Sequence, residues 1–592
     1  MKSHPYVWAT VLKTSIELSR PVMSYPISSP AFVNASPKAA APQAGGTNFI
    51  SAYALWGMIL ALAVVWFGSA GTRALIHPDE GRYATIALQM LHSGDWVTPR
   101  LNGLLYFEKP PLQYWIGALL FKLFGVNEFA ARLWPALAGF LTIMSVGLTG
   151  ARLWNRDTGI RSAAIVASMT WIVGNSHFLT LDAGLTLFMT LTLSAVLIAQ
   201  FATSSREQRR TWIWIAWAAM AGAVLSKGLV GILIPGAVLV LVSLWRRDFK
   251  LWQGMHWGSG LLIFFLLAAP WFVIVSMRNP GFAEFFFVHE HFARYLTGVH
   301  RREGAWWYYL PLLVGGLIPW SGGLPWLFRK TASGASPPGI GINDVLIVWV
   351  VFVLVFFSVS GSKLPSYILP AFPALAWMLA VQLGRTGKAA LRWHLLFPAL
   401  AGAVALFAST QVDRFVSTST PLEALNPFAW GLRASAGLLF AGTALAWWSL
   451  GRDRVTAAVL SLAFSALLAA TTLMQAHNAF GQFKSAAGLS AALLPQIDAD
   501  TPVFSVAGYD QTLPFYLRRD VVLVDYVDEF ALGQQHEPGR SLKTLDEFVA
   551  RWQTLPRAAA YMNLDTYIGL QQRGLPMRIV FQDFRRIVVV KP

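Results

Sequence analysis

The chain has 592 residues, 55% hydrophobic and 13% charged, with mean hydropathy +0.50 and a formal net charge of +17. A soluble domain carries about a quarter charged residues, so the composition excludes an ordinary soluble enzyme. The Lys and Arg residues cluster in short loops between apolar runs, which is the pattern of membrane orientation and not of nucleic-acid binding; no nucleic acid is expected as a partner. Cysteine is absent, which excludes disulfides, thiolate metal sites and a cysteine nucleophile and leaves the redox compartment open.

Residues 1–49 are rich in Pro, Ala, Ser and Gly without helical period and read as a disordered N-terminal segment. No basic start, apolar stretch and small-residue cleavage site occur in that order, so no cleaved signal peptide is expected, and Met23 stands as an alternative start. The 50–474 region holds apolar runs near the bilayer-spanning length of roughly 20 residues. Thirteen crossings are predicted, at 51–71, 130–151, 162–180, 184–202, 212–226, 229–245, 258–276, 306–328, 343–360, 367–384, 391–409, 430–450 and 455–474. The apolar piece 111–124 is short and opens on Pro110 and Pro111, so it reads as an interfacial or re-entrant helix. The amphipathic stretch 82–93 is expected to lie on the membrane surface as well. Twenty-six Trp suit interfacial belts and platforms for a flat ligand. After about 475 the pattern changes: VFSV (503–506), VVLV (521–524), AAAYM (558–562) and MRIVF (577–581) read as short buried strands, alternating with helices at 543–554 and 564–572. Residues 475–592 are therefore expected to form a small α/β domain. The fold class predicted is a polytopic α-helical membrane protein with about thirteen transmembrane helices and a C-terminal α/β domain.

Thirteen crossings place the loops alternately on two faces. One face collects Arg152, Arg156, Arg161, Arg206, Arg209, Arg210 and further basic residues up to Arg454, and such loops stay cytoplasmic. The other face is then outside, which in a bacterium is the periplasmic side of the inner membrane. It holds the first loop 72–129, the large loop 277–305 and the C-terminal domain. Every unusual polar motif falls there: HPDEGRY (77–83), YFEKPP (106–111), TLDAG (180–184), SKG (226–228), HEHFARY (289–295) and SGSKLPSY (360–367).

Each motif has an ordinary structural alternative. Asp79 and Asp182 suit helix N-caps, for helices starting near Gly81 and at Ala183. Lys227 and Lys363 suit snorkelling. Gathered on one face, Asp79, Glu80, Arg82, Tyr83, Tyr106, Lys109, Lys227, Arg294, Lys363 and Tyr367 read better as one site, with the cations as a phosphate cradle. The HEH triplet at 289–291 is a weak metal signal; His289 with Glu108 is a candidate pair for Zn or Mg, and no cofactor is otherwise required. Nucleotide-binding, nucleophile-elbow and HExxH motifs are absent. A transferase on the outer face needs a donor carried across the membrane, such as a sugar on a polyprenyl phosphate. The spans then provide a groove for the lipid tail, the cations meet the phosphate and the carboxylates meet the sugar.

The stretch HPDEGRYATIALQMLHSGDWVTPRLNGLLYFEKPPLQYW closely resembles the first outer loop of the bacterial 4-amino-4-deoxy-L-arabinose (aminoarabinose) transferases of lipid A, GT-C glycosyltransferases related to protein O-mannosyltransferases. The resemblance continues more thinly through TLDAG, SKG and KLPSY. It implies inverting transfer of the aminosugar from undecaprenyl phosphate to a lipid A phosphate. It places the catalytic aspartates at Asp79 and Asp182, with Tyr83, Tyr106, Lys109 and Arg294 on the donor. Where the family usually reads DETRY this chain reads DEGRY, so no side-chain role carries over to Gly81. The alternatives are a GT-C transferase of another polyprenyl-linked sugar to a lipid or protein acceptor and, more distantly, a lipid-linked sugar flippase.

Overall fold

The computed structural model describes residues 51–203, 205–293, 304–327, 339–417 and 420–592, with the backbone alone for 291–293. Helices occupy each of the thirteen segments expected to cross, whole or in pieces. Among the described residues eight are long and apolar enough to span a membrane, from Glu128–Leu153 to Val455–Lys484. Their burial differs sharply. The most apolar stretch of Asp182–Phe201 is 78% buried, whereas that of Trp257–Arg278 is 28% buried and leaves Leu262, Phe265 and Leu266 exposed. Apolar side chains left open in this way belong against lipid tails, while Asp182–Phe201 and Pro365–Leu383, equally buried, pack within the protein.

Two of the expected crossings are broken, and each break answers the other. The 306–328 segment turns by 110° between Tyr309–Gly316 and Ser321–Leu327, where Pro319 has no N–H to continue the helix. The 162–180 segment breaks at Met169, whose ψ of 123° is extended, into Arg156–Ser168 and Thr170–His177. The backbone N–H of Thr170, freed by the break, donates to the carbonyl of Ile318 at 3.2 Å, and its hydroxyl donates to the same oxygen at 3.0 Å. Trp320 Nε1 donates to Ser168 Oγ at 2.9 Å. At membrane depth such mutual satisfaction is what permits non-helical backbone.

From Met58 to Pro592 the chain forms one compact unit, and Met1–Gly57 separates as another, described only from residue 51. The short hairpin β1 (Arg100–Leu101) and β2 (Leu104–Leu105) lies in the first loop. The C-terminal domain carries a six-stranded sheet of β3 (Val503–Val506), β4 (Val522–Val524), β5 (Ser541–Leu542), β6 (Ala559–Asn563), β7 (Arg578–Gln582) and β8 (Arg586–Val590) in the order β5-β4-β3-β6-β8-β7. β5, β4, β3 and β6 run parallel, and β8 and β7 join antiparallel to their neighbours. The four strands read from sequence are all present; β5 and β8 are additions.

The stretch 82–93 differs from expectation. It belongs to a helix, Asp79–Ser93, that does not lie open on the membrane surface: Tyr83 to Leu88 are all buried. The C-terminal domain covers it. A Cβ on Gly81 would come within 2.4 Å of the Gln511 carbonyl carbon and 2.5 Å of Thr512 N, so glycine is what allows the helix to meet that backbone directly. Asn102 exchanges two hydrogen bonds with the Val521 backbone, at 2.7 and 2.8 Å, and Phe515, Leu523 and Phe530 share one apolar cluster with Tyr83, Tyr106 and Tyr114. Amphipathicity identified a helix with one apolar face; it did not identify a protein cover for the other.

Candidate active site

The first loop enters the site through the helix Asp79–Ser93, which starts on Asp79 itself after Pro78. Asp79 and Glu80 in its first turn oppose the positive end of the helix dipole. Their side chains then part. Glu80 is 2% exposed and fully engaged: it takes Arg132 Nε at 2.6 Å and Nη2 at 2.7 Å, and accepts the amides of Ile76 at 3.0 Å and Leu179 at 3.1 Å. Burial pushes its carboxyl up, but the Arg132 guanidinium prevails and holds it below the ordinary carboxylate range. Glu80, read from sequence as a substrate contact, is placed as a structural tie between the first loop, the Glu128–Leu153 helix and the TLDAG turn.

Asp79 turns to the open side, its side chain 46% exposed, and pairs with Arg82 Nη1 at 2.9 Å. Arg82 Nε faces Glu529 Oε2 of the C-terminal domain at 2.5 Å, and Gln511 Nε2 donates to Glu529 Oε1 at 2.9 Å. Burial raises the Glu529 carboxyl above its usual range by more than Arg82 lowers it. Tyr83 and Tyr106 are buried beside this group; desolvation, reinforced by Asp79 and Glu108 respectively, lifts their phenols well above the ordinary value, so both remain neutral donors.

Lys109 Nζ donates to Glu290 Oε2 at 2.9 Å and stands 4.0 Å from Glu108 Oε2. His289 Nδ1 lies 3.7 Å from Glu290 Oε1. Lys109 thus sits between Glu290 and Glu108, and among the described residues no three His, Asp or Glu side chains converge as a ligand set. Arg294 falls outside the described residues.

The second group forms where two antiparallel helices meet at one end. Asp182 opens Asp182–Phe201 and Lys227 closes Arg206–Lys227, so the hairpin geometry brings them side by side and Lys227 Nζ donates to Asp182 Oδ1. Asp182 is thus a salt-bridge partner, without the N-cap bond its position suggested. Tyr367, from the SGSKLPSY turn, lays its ring under Lys227 with the ammonium 4.7 Å from the centroid. Lys363 on the same turn donates to the carbonyl of Ser360 at 2.8 Å. Apolar packing joins the two groups: Leu181, next to Asp182, clusters with Tyr83 and Tyr106, and Leu225, two residues before Lys227, clusters with Phe107 and Phe286.

Sequence reading missed Arg132, Glu529 and Gln511. Arg132 carried a usable signal, a charge within a run read as a span. Glu529 and Gln511 carried none, since they reach the site only through the fold of the C-terminal domain.

A family model described as the aminoarabinose transferase C-terminal domain matches residues 489–591, and one described as dolichyl-phosphate-mannose-protein mannosyltransferase matches 51–286. ArnT from Cupriavidus metallidurans, solved bound to undecaprenyl phosphate, superposes with a TM-score of 0.86 at 36% identity, over 91% of this chain and 98% of that one. The undecaprenyl phosphate-α-4-amino-4-deoxy-L-arabinose arabinosyl transferase of Pseudomonas paraeruginosa is 35% identical over 65% of this chain and 70% of its own length. The chain belongs to this arabinosyl transferase family. A relative of the same description from Erwinia tasmaniensis is 33% identical over 57% of this chain, and the match spans 61% of that relative. The family shares the helical membrane architecture and the C-terminal sheet domain found in this chain.

Proposed function

We propose that this protein is an inverting glycosyltransferase that moves 4-amino-4-deoxy-L-arabinose from undecaprenyl phosphate to a lipid A phosphate, on the periplasmic face of a bacterial inner membrane. The observation that carries the reading is the pairing of two aspartates with two cations: Asp79 with Arg82, and Asp182 with Lys227. Lys109 adds a third cation beside them. The Pseudomonas relative is named for this donor, and the Cupriavidus structure holds undecaprenyl phosphate.

In this reading the bond between the anomeric carbon and the donor phosphate oxygen breaks, and its electron pair leaves on undecaprenyl phosphate. Lys227, Lys109 and Lys363 stabilise that phosphate as it departs. Asp79, open on one side, stabilises the positive charge developing on the sugar ring. A phosphate oxygen of lipid A attacks the opposite face and forms the new bond with inversion. A phosphate acceptor is already ionised, so no general base is needed and Asp182 serves to hold Lys227.

Mass spectrometry of lipid A from cells with and without this protein tests the proposal. An added aminopentose that depends on the protein is the expected result; lipid A of unchanged mass overturns it.

A further inference from the structure

The end of the helical bundle that carries basic loops holds a cleft with no part in the proposed reaction. Leu391, Leu395, Ala446, Leu450, Val459 and Leu462 line it, together with Trp320 and His394. Counted with its open mouth, it encloses about 270 Å³. Leu396 and Phe397, next to Leu395, and Leu445, next to Ala446, are about half exposed. Apolar side chains exposed on membrane helices belong against lipid tails, so lipid lies beside the cleft.

Two polar features set this cleft apart from a packing gap. His394 is 4% exposed and stacks on Trp320, ring centroids 5.8 Å apart. Its Nε2 has no hydrogen-bond partner among the described residues. Buried polar atoms are paired in the great majority of cases, so Nε2 remains for a polar atom of whatever fills the cleft. Arg392, next to Leu391, has a buried Nε that is likewise unpaired. Its guanidinium lies 5.2 Å from the ring centroid of Trp447, and a Cβ on Gly451 would stand 4.0 Å from its Nη2. Arg452, the residue after Gly451, lies 3.8 Å over the ring of Trp448. Neither arginine has a carboxylate partner among the described residues, and the neighbouring acid Asp453 pairs with Lys388. Trp447 and Trp448 are both about half exposed, as befits rings at headgroup level. Two uncommitted guanidiniums beside an apolar cleft match an amphiphile with a negative head, and basic pockets between membrane helices receive anionic lipid headgroups.

We propose that this cleft binds an anionic phospholipid of the surrounding membrane, with an acyl chain between Leu395, Leu450 and Leu462 and the phosphate on Arg392 and Arg452. No residue of the candidate active site lines the cleft, so the bound lipid is a structural partner and not a substrate.

The test mixes full-length enzyme, stripped of lipid in detergent, with phosphatidylglycerol carrying a diazirine near the end of one acyl chain. After illumination and digestion, labelling is expected on 391–395 and 450–462. Unlabelled phosphatidylglycerol should compete about tenfold or more better than phosphatidylcholine. The double variant Arg392→Ala, Arg452→Ala should lose that preference, with labelling reduced to the level of the other lipid-facing helices. Labelling spread evenly over the exposed helices of wild type overturns the proposal, and so does equal competition by the two lipids. Both results are read on wild type, so they decide the matter even where the double variant does not fold. A folded double variant that keeps the preference overturns the proposal as well, because the arginines then do not hold the phosphate.

Discussion

Arg132 and Glu80 form a two-pronged ion pair, 2.6 and 2.7 Å between matched atoms, with both side chains at or near zero exposure. Arg132 also donates to the carbonyls of Ala70, Arg73 and Ala74. A charge sealed from water costs several kcal/mol unless it is paired, so each of these residues depends on the other. Removing either as Glu80→Ala or Arg132→Ala is expected to destabilise the fold by about 3–5 kcal/mol. The double variant should recover part of that loss, because no unpaired charge remains. Thermal unfolding in detergent reads both effects; additive losses would contradict the pairing argument.

The same pair sets an acid limit. The folded Glu80 carboxyl lies below its ordinary range, so its contribution is present above the unfolded value of about 4.3 and is lost as pH falls through the folded value. The melting temperature of wild type should therefore exceed that of Glu80→Gln at neutral pH, and the gap should hold to about pH 5 and close only below about pH 4. A gap that closes between pH 7 and 6 would assign the effect to another group.

Asp79 contrasts with its neighbour. It is half open and paired only across one turn, a kind of contact worth about 0–1 kcal/mol. Asp79→Asn should leave the melting temperature within a degree or two yet reduce transfer by about 10²–10⁴-fold. Near-normal turnover would remove Asp79 from the reaction.

Gly81→Thr introduces the residue usual in the family and should harm this chain. Its Cβ would sit within 2.6 Å of three backbone atoms at Gln511 and Thr512, and forcing atoms into such a contact costs about 1–3 kcal/mol. The expected signs are a lower melting temperature and faster proteolysis after residue 475. A neutral or stabilising outcome would mean that the 510–512 turn moves freely.

Chelation tests the candidate metal pair Glu108 and His289: full activity of enzyme stripped with EDTA and purified in chelated buffer would remove a metal from the reaction. Loss of activity restored by added Zn or Mg would instead establish a metal requirement.

The sequence by itself determined the membrane character, the helical segments, the strands of the tail and the motifs that share one face, because these follow from local quantities: run length, period and the sign of loop charge. The pairing of Asp182 with Lys227 came from the structure, where the start of one helix and the end of the next lie side by side in a hairpin. What the sequence could not decide was which of two adjacent acids does which work. Asp79 and Glu80 are equivalent in composition and position; only the packing of Arg132 against one side of the helix sends Glu80 inward and leaves Asp79 open. Nor could it place Glu529 opposite Arg82, more than four hundred residues away, because that approach depends on a domain surface and on the absence of a single side chain at Gly81.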